Sequence, residues 1–156
     1  MAETRLAAGT VRALLHDETA LHVRPCAEAG LSEADLFAAQ EQPANIAYTR
    51  YVLDAGHSGD FLDLLAALAP CVLGYGEIGA HLANTATSQT YADWIATYGG
   101  AEYQQVCHDV GALIDAAVAR RLGDAPLDAP RWSSRCARFT TATRLEVGFW
   151  DMGLAE

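Results

Sequence analysis

The stretch that decides the fold is FLDLLAALAPCVLGYGEIGAHL, residues 61–82. Its apolar residues recur at helical spacing rather than alternating, which predicts one long helix. Pro70 stands in its middle, immediately before Cys71. Proline has no backbone N–H to give to the carbonyl of Ala66, so a bend is expected there. Cys71 and Tyr75 are four residues apart and share a face, which Ile78 and Leu82 continue. A bend beside Cys71 opens space in front of the sulfur. The plain alternative is a core cysteine next to a tolerated proline.

Outward from this helix the same spacing recurs, and strand-like alternation does not. A helix is predicted over residues 10–29, stopping at Gly30, with Pro25 kinking or splitting it. Ser32 is placed to cap a short turn that carries Glu33 and Asp35 in favourable first-turn positions. Pro43 opens a helix with Ile46, Val52 and Leu53 on its apolar face, which stops at Gly56. Ser58 or Asp60 begins the long helix, which runs to Asn84. Thr87 or Ser88 caps the segment QTYADWIATYGG. Helices over 101–122 and 132–152 follow, separated by the loop GDAPLDAP. With no repeat or linker, residues 1–156 read as one all-α domain, a helical bundle with short connections.

Composition narrows the possible partners. A length of 156 residues fits one domain, and a hydrophobic content of 51% predicts a packed core. Ten Lys and Arg against twenty Asp and Glu give a net charge of −10. Nucleic acid and anionic membrane surfaces both call for a basic face, so neither partner is expected. Leu62 to Tyr75 is uncharged apart from Asp63 but reads as too short to cross a bilayer. The N-terminus lacks a basic-then-apolar signal pattern, so a cytoplasmic location is expected. Cys26, Cys71, Cys107 and Cys136 form no CxxC pair, and neither a zinc site nor a redox pair is expected.

Three groups of residues could carry chemistry. Cys71 is a nucleophile only if something favours its thiolate, because an apolar pocket opposes that form. In TATRLEVGFWDMGL, Glu146 shares a helix face with Phe149 and Trp150. Such a carboxylate is either a solvated rim residue or a buried group suited to acid and base work. Tyr48, Tyr51, Tyr91, Trp94 and Tyr98 are core residues with polar edges, or the walls of a pocket for a flat, polar heteroaromatic ring. His16, Glu18 and His22 in HDETALH are the only hint of a metal-dependent oxidase. No matching Glu/His pair stands on another predicted helix, so surface or packing roles are expected for them.

The segments GDFLDLLAALAPCVLGYGEIG, YADWIATYGGAEY and TRLEVGFWDMGL, in this order, resemble the TenA/thiaminase II family of aminopyrimidine aminohydrolases. The resemblance covers residues 47–154, and ETALH upstream is similar to the family's preceding helix. It implies an all-α fold of the haem-oxygenase type, usually a homotetramer, without metal or organic cofactor. The implied reaction is hydrolysis of aminomethylpyrimidine to hydroxymethylpyrimidine in thiamine salvage, or cleavage of thiamine. Carried over by motif, Cys71 adds to the pyrimidine ring, and Glu146 bonds the ring nitrogen and shuttles the proton. Tyr48, Tyr75 and Tyr98 line the pocket, and Phe149 contacts the ring. The family also has about two further helices upstream, each of roughly 10–14 residues, carrying an aspartate for the pyrimidine amino group. Those positions fall before Met1, and nothing in MAETRLAAG replaces them. The expectation is a chain start lying further upstream, or a shortened relative with an incomplete pocket that turns over slowly or only binds.

Overall fold

The computed structural model describes residues 2–13, 15 and 19–154, and the regular elements among them are all helical. In order they are α1 (Ala2–Ala13), α2 (Thr19–Glu28), α3 (Glu33–Ala38), α4 (Pro43–Ser58), α5 (Phe61–Thr85), α6 (Ala92–Gly99), α7 (Ala101–Leu122) and α8 (Trp132–Met152). A 3₁₀ turn, Pro126–Asp128, lies within the proline-rich loop between α7 and α8. The all-α expectation holds.

Residues 1–41 and 42–156 form two compact units. In the first, the helix expected over residues 10–29 is instead two helices, the earlier starting at Ala2. Pro25 sits inside α2 without ending it. Gly30, at φ 87°, makes the turn that follows, a conformation open to glycine at little cost. Ser32 then caps α3 as expected: its hydroxyl accepts from the Asp35 N–H, and Asp35 accepts from the Ser32 N–H at 2.9 Å.

In the second unit α5 is the centre, packed against α4, α6, α7 and α8. Asp60 caps it, accepting from the N–H groups of Leu62 and Asp63, while Asp63 accepts from the Asp60 N–H. The helix continues through Pro70 to Thr85 as one 25-residue element. It is therefore long and apolar enough to cross a membrane by length and composition, which corrects the shorter reading above. Helices on its sides and the buried Asp63 mark it instead as the core helix of a bundle.

Two clusters of buried side chains hold the bundle. Leu62 and Leu65 pack on Ala117 of α7, with Phe61, Leu113, Ile114, Val118 and Leu122 around them. Each such leucine, fully buried, stabilises the fold by roughly 1.5–3 kcal/mol. Ala55, Ala67 and Ala142, all fully buried, bring α4, α5 and α8 together. Only small side chains permit that approach, and it decides which way α4 faces. Tyr48 and Ala55 point inward, whereas Ile46 and Leu53, expected on the buried face, are exposed.

Contacts between α5 and α8 advance four residues at a time on both helices. Asp63 pairs with Arg138, Ala67 packs with Ala142, and Tyr75 meets Trp150. The two helices thus run parallel, and this register brings Cys71 level with Glu146.

Candidate active site

Glu146 is buried, 8% exposed, between α4, α5 and α8. Among the described residues, neither of its oxygens has a hydrogen-bond partner of good geometry. The Tyr48 and Tyr75 hydroxyls nonetheless lie near enough to interact with it. Burial first, then Glu146, then Cys71, pushes both phenols well above their ordinary value. Both tyrosines therefore remain hydroxyl donors throughout the working pH range. The half-buried thiol of Cys71 faces the same two tyrosines. Tyr48, Cys71, Tyr75 and Glu146 form one group.

Beside this group a cavity of about 300 Å³ lies between α5 and α8. Tyr75 and Glu146 line it, with Trp150, Phe139, Ile78 and Glu77 among their neighbours. Cys71, Tyr48, Tyr98 and Phe149 do not belong to its lining. Phe149 packs on Tyr48, ring centroids 6.2 Å apart. Tyr98 is buried behind Tyr75 at 5.2 Å and also touches Trp94 and Tyr103. Trp150 completes an aromatic cluster, 5.4 Å from Tyr75 and 5.9 Å from Trp94.

Close packing behind the cluster fixes Tyr75. A Cβ on Gly79 would lie 2.5 Å from the Tyr98 carbonyl carbon, so only glycine lets α6 come this close to α5. The Gln104 side chain then ties the two helices, donating to Gly76 O at 2.9 Å and Tyr98 O at 3.0 Å. Tyr103 and Cys107 of α7 donate to Val72 O, one residue beyond Cys71. Gln104, Cys107 and Glu77 carried no sequence signal beyond their polarity.

Among the described residues no group of three or more His, Cys, Asp or Glu could hold a metal ion. His16 and Glu18, and the side chain of His22, lie outside the described residues. All four cysteines are thiols rather than disulfides.

An all-α bundle thus gathers a thiol, a buried carboxylate and two tyrosines beside a cavity lined with aromatic side chains. The TENA/THI-4/PQQC family matches residues 1–156, and the chain belongs to it. It is 38% identical over 144 residues to an uncharacterized protein of Haemophilus influenzae, covering 90% of this chain and 64% of the relative. It is 30% identical over 149 residues to the aminopyrimidine aminohydrolase of Halalkalibacterium halodurans, covering 94% of this chain and 64% of the relative. A crystal structure described as a TenA family transcription regulator from Silicibacter sp. TM1040 superposes with a TM-score of 0.93 at 58% identity, over 96% of this chain and 67% of that one. The chain thus spans about two thirds of the length of these relatives.

Proposed function

We propose that this chain hydrolyses aminopyrimidines, converting aminomethylpyrimidine and water to hydroxymethylpyrimidine and ammonia, in thiamine salvage. The observation that carries the reading is the buried Glu146, its oxygens without a partner, level with Cys71 and bordering an aromatic cavity. A buried carboxylate left unbonded is destabilising unless a ligand supplies the missing donor. A ring nitrogen that shares a proton with the carboxyl group fills that role. The aminopyrimidine aminohydrolase relative from Halalkalibacterium halodurans points the same way.

In this reading the Cys71 thiolate adds to a ring carbon, and the adjacent ring nitrogen takes the electron pair and a proton from Glu146. The electron-rich ring then expels the substrate's ammonium group from its methylene carbon as ammonia. Water adds to the methylene, Glu146 recovers its proton, and the Cys71–carbon bond breaks to restore the aromatic ring. The Tyr48 and Tyr75 hydroxyls orient the thiolate and the carboxylate. Tyr98 holds Tyr75 from behind, and Phe149 seats Tyr48. No metal or organic cofactor enters the scheme. A cytoplasmic homotetramer is the proposed setting.

The test is release of hydroxymethylpyrimidine by the wild-type chain and by Cys71→Ser. Release that disappears in the variant supports the scheme. Release that survives removes Cys71 from it. The Silicibacter relative, described as a transcription regulator, favours a second reading, ring binding without turnover. Saturable binding of aminomethylpyrimidine with no product in the wild type would select it.

A further inference from the structure

The cavity beside Glu146 carries a second carboxylate. Glu77 lies at its rim, exposed, two residues beyond Tyr75. Tyr75, Trp150 and Phe139 line the same cavity, and no lining residue is basic. Trp150 is held edge-on to Tyr75 and Trp94, an interplanar angle of 66° to the first, so its own position is fixed. Glu146, more than nine-tenths buried and without a hydrogen-bond partner of good geometry, lines the same cavity. Aromatic faces attract cations, and a carboxylate within reach adds to that attraction.

We infer that Glu77 is a specificity residue that selects ligands carrying a positive charge on the group attached to the ring. The ring sits against Glu146, and the charged substituent lies at the rim between Glu77 and the aromatic walls. The inference rests on the hydrolase reading for the identity of the ring but not for the charge. Glu77 is not needed for any bond-making step, and its exposure makes substitution compatible with the fold.

Two ligand pairs test it, each a cation and its neutral counterpart: benzylammonium with benzyl alcohol, and aminomethylpyrimidine with hydroxymethylpyrimidine. Binding is followed by tryptophan fluorescence and calorimetry in the wild type, Glu77→Gln and Glu77→Lys. The wild type should favour the cation in both pairs. Glu77→Gln should cut that preference roughly three- to fivefold, the scale of a solvent-accessible ion pair, and Glu77→Lys should reverse it. Affinity for the neutral members should hardly move, and with aminomethylpyrimidine the loss should fall on KM more than on kcat. Equal affinity within each pair, or a preference that survives both substitutions, overturns the inference. Charge selection with the benzyl pair but no pyrimidine hydrolysis would uphold Glu77 and defeat the hydrolase reading. Hydrolysis without charge selection would do the reverse.

Discussion

Two carboxylates on the α5–α8 seam are buried to nearly the same degree and are treated in opposite ways. Asp63, its side chain 4% exposed, is clamped by Arg135 at 2.8 Å and Arg138 at 3.1 Å, with Arg131 further out. It also closes the capping box of α5. Glu146 lies two layers further along the same seam and has no such partner. Burying a charge is expensive, and folds that tolerate it normally supply the counter-charge from neighbouring side chains. At Asp63 the fold does so. At Glu146 it provides two neutral tyrosines, a thiol and a cavity. Asp63 serves the fold, whereas under the proposed function Glu146 finds its partner in the ligand.

The most severe way to break the second half of this comparison is Cys71→Ser, which should abolish product release, because serine keeps the shape without a readily formed thiolate. Glu146→Gln comes next. The amide can still hydrogen-bond but cannot carry a proton, so hydroxymethylpyrimidine release should fall by about 10²–10⁴-fold. Asp63→Asn attacks the first half. It leaves Arg135 and Arg138 buried against a neutral group, and denaturant unfolding should show a loss of roughly 3–5 kcal/mol.

Gly79→Ala sharpens the comparison from behind Tyr75. The new methyl meets the backbone of Tyr98 and Gly99, and overpacking of this kind typically lowers stability by roughly 1–3 kcal/mol. The same change should weaken ligand binding, because α6 and Tyr98 support Tyr75. The smallest effect is one of pH. Burial tends to raise the Asp60 pKa, but the Arg131 hydrogen bond at 2.7 Å and the N–H groups of Asp63 and Leu62 outweigh it, leaving the value below 3.8. A folded-state pKa below the unfolded one gives stability that is fully present above about 3.8 and is lost as pH falls through the folded value. Urea midpoints should therefore decline below that pH, with Asp60→Asn showing a shallower decline.

Much of the frame was legible in the sequence. The helices over 101–122 and 132–152 begin and end where expected, because Gly100, Gly123 and the proline loop leave little choice. The helix expected from Thr87 or Ser88 begins only at Ala92, since Ser88 spends its hydroxyl on a local turn with Thr90. Which face of α4 turns inward was not legible. Ile46 and Leu53 are more apolar than Ala55, yet the close approach of three helices selects the smallest side chain. At the site, helical spacing alone placed Cys71 with Tyr75 and Glu146 with Phe149. It could not bring the two pairs together, because the register between α5 and α8 depends on the Asp63–arginine cluster and the alanine layer. Nor could it separate a rim glutamate from a buried one. Helix α8 turns Arg135, Arg138 and Glu146 inward alike, so its charges conceal its buried face. The position of Tyr98 behind Tyr75, rather than at the cavity, followed from the Gly79 contact and was invisible to periodicity.

The contrast between the two carboxylates is tested most directly by the melting temperature of Glu146→Gln, measured beside that of the wild type without ligand. A buried carboxylate that the fold does not partner contributes nothing to stability that an isosteric amide would lose. The expected result is a melting temperature at or above the wild-type value. For a chain of this length, each kcal/mol moves the midpoint by about 2–4 °C, so the Asp63→Asn loss should appear as a fall on the order of 10 °C. A fall of that size in Glu146→Gln would contradict the account, because it would make Glu146 a structural residue like Asp63.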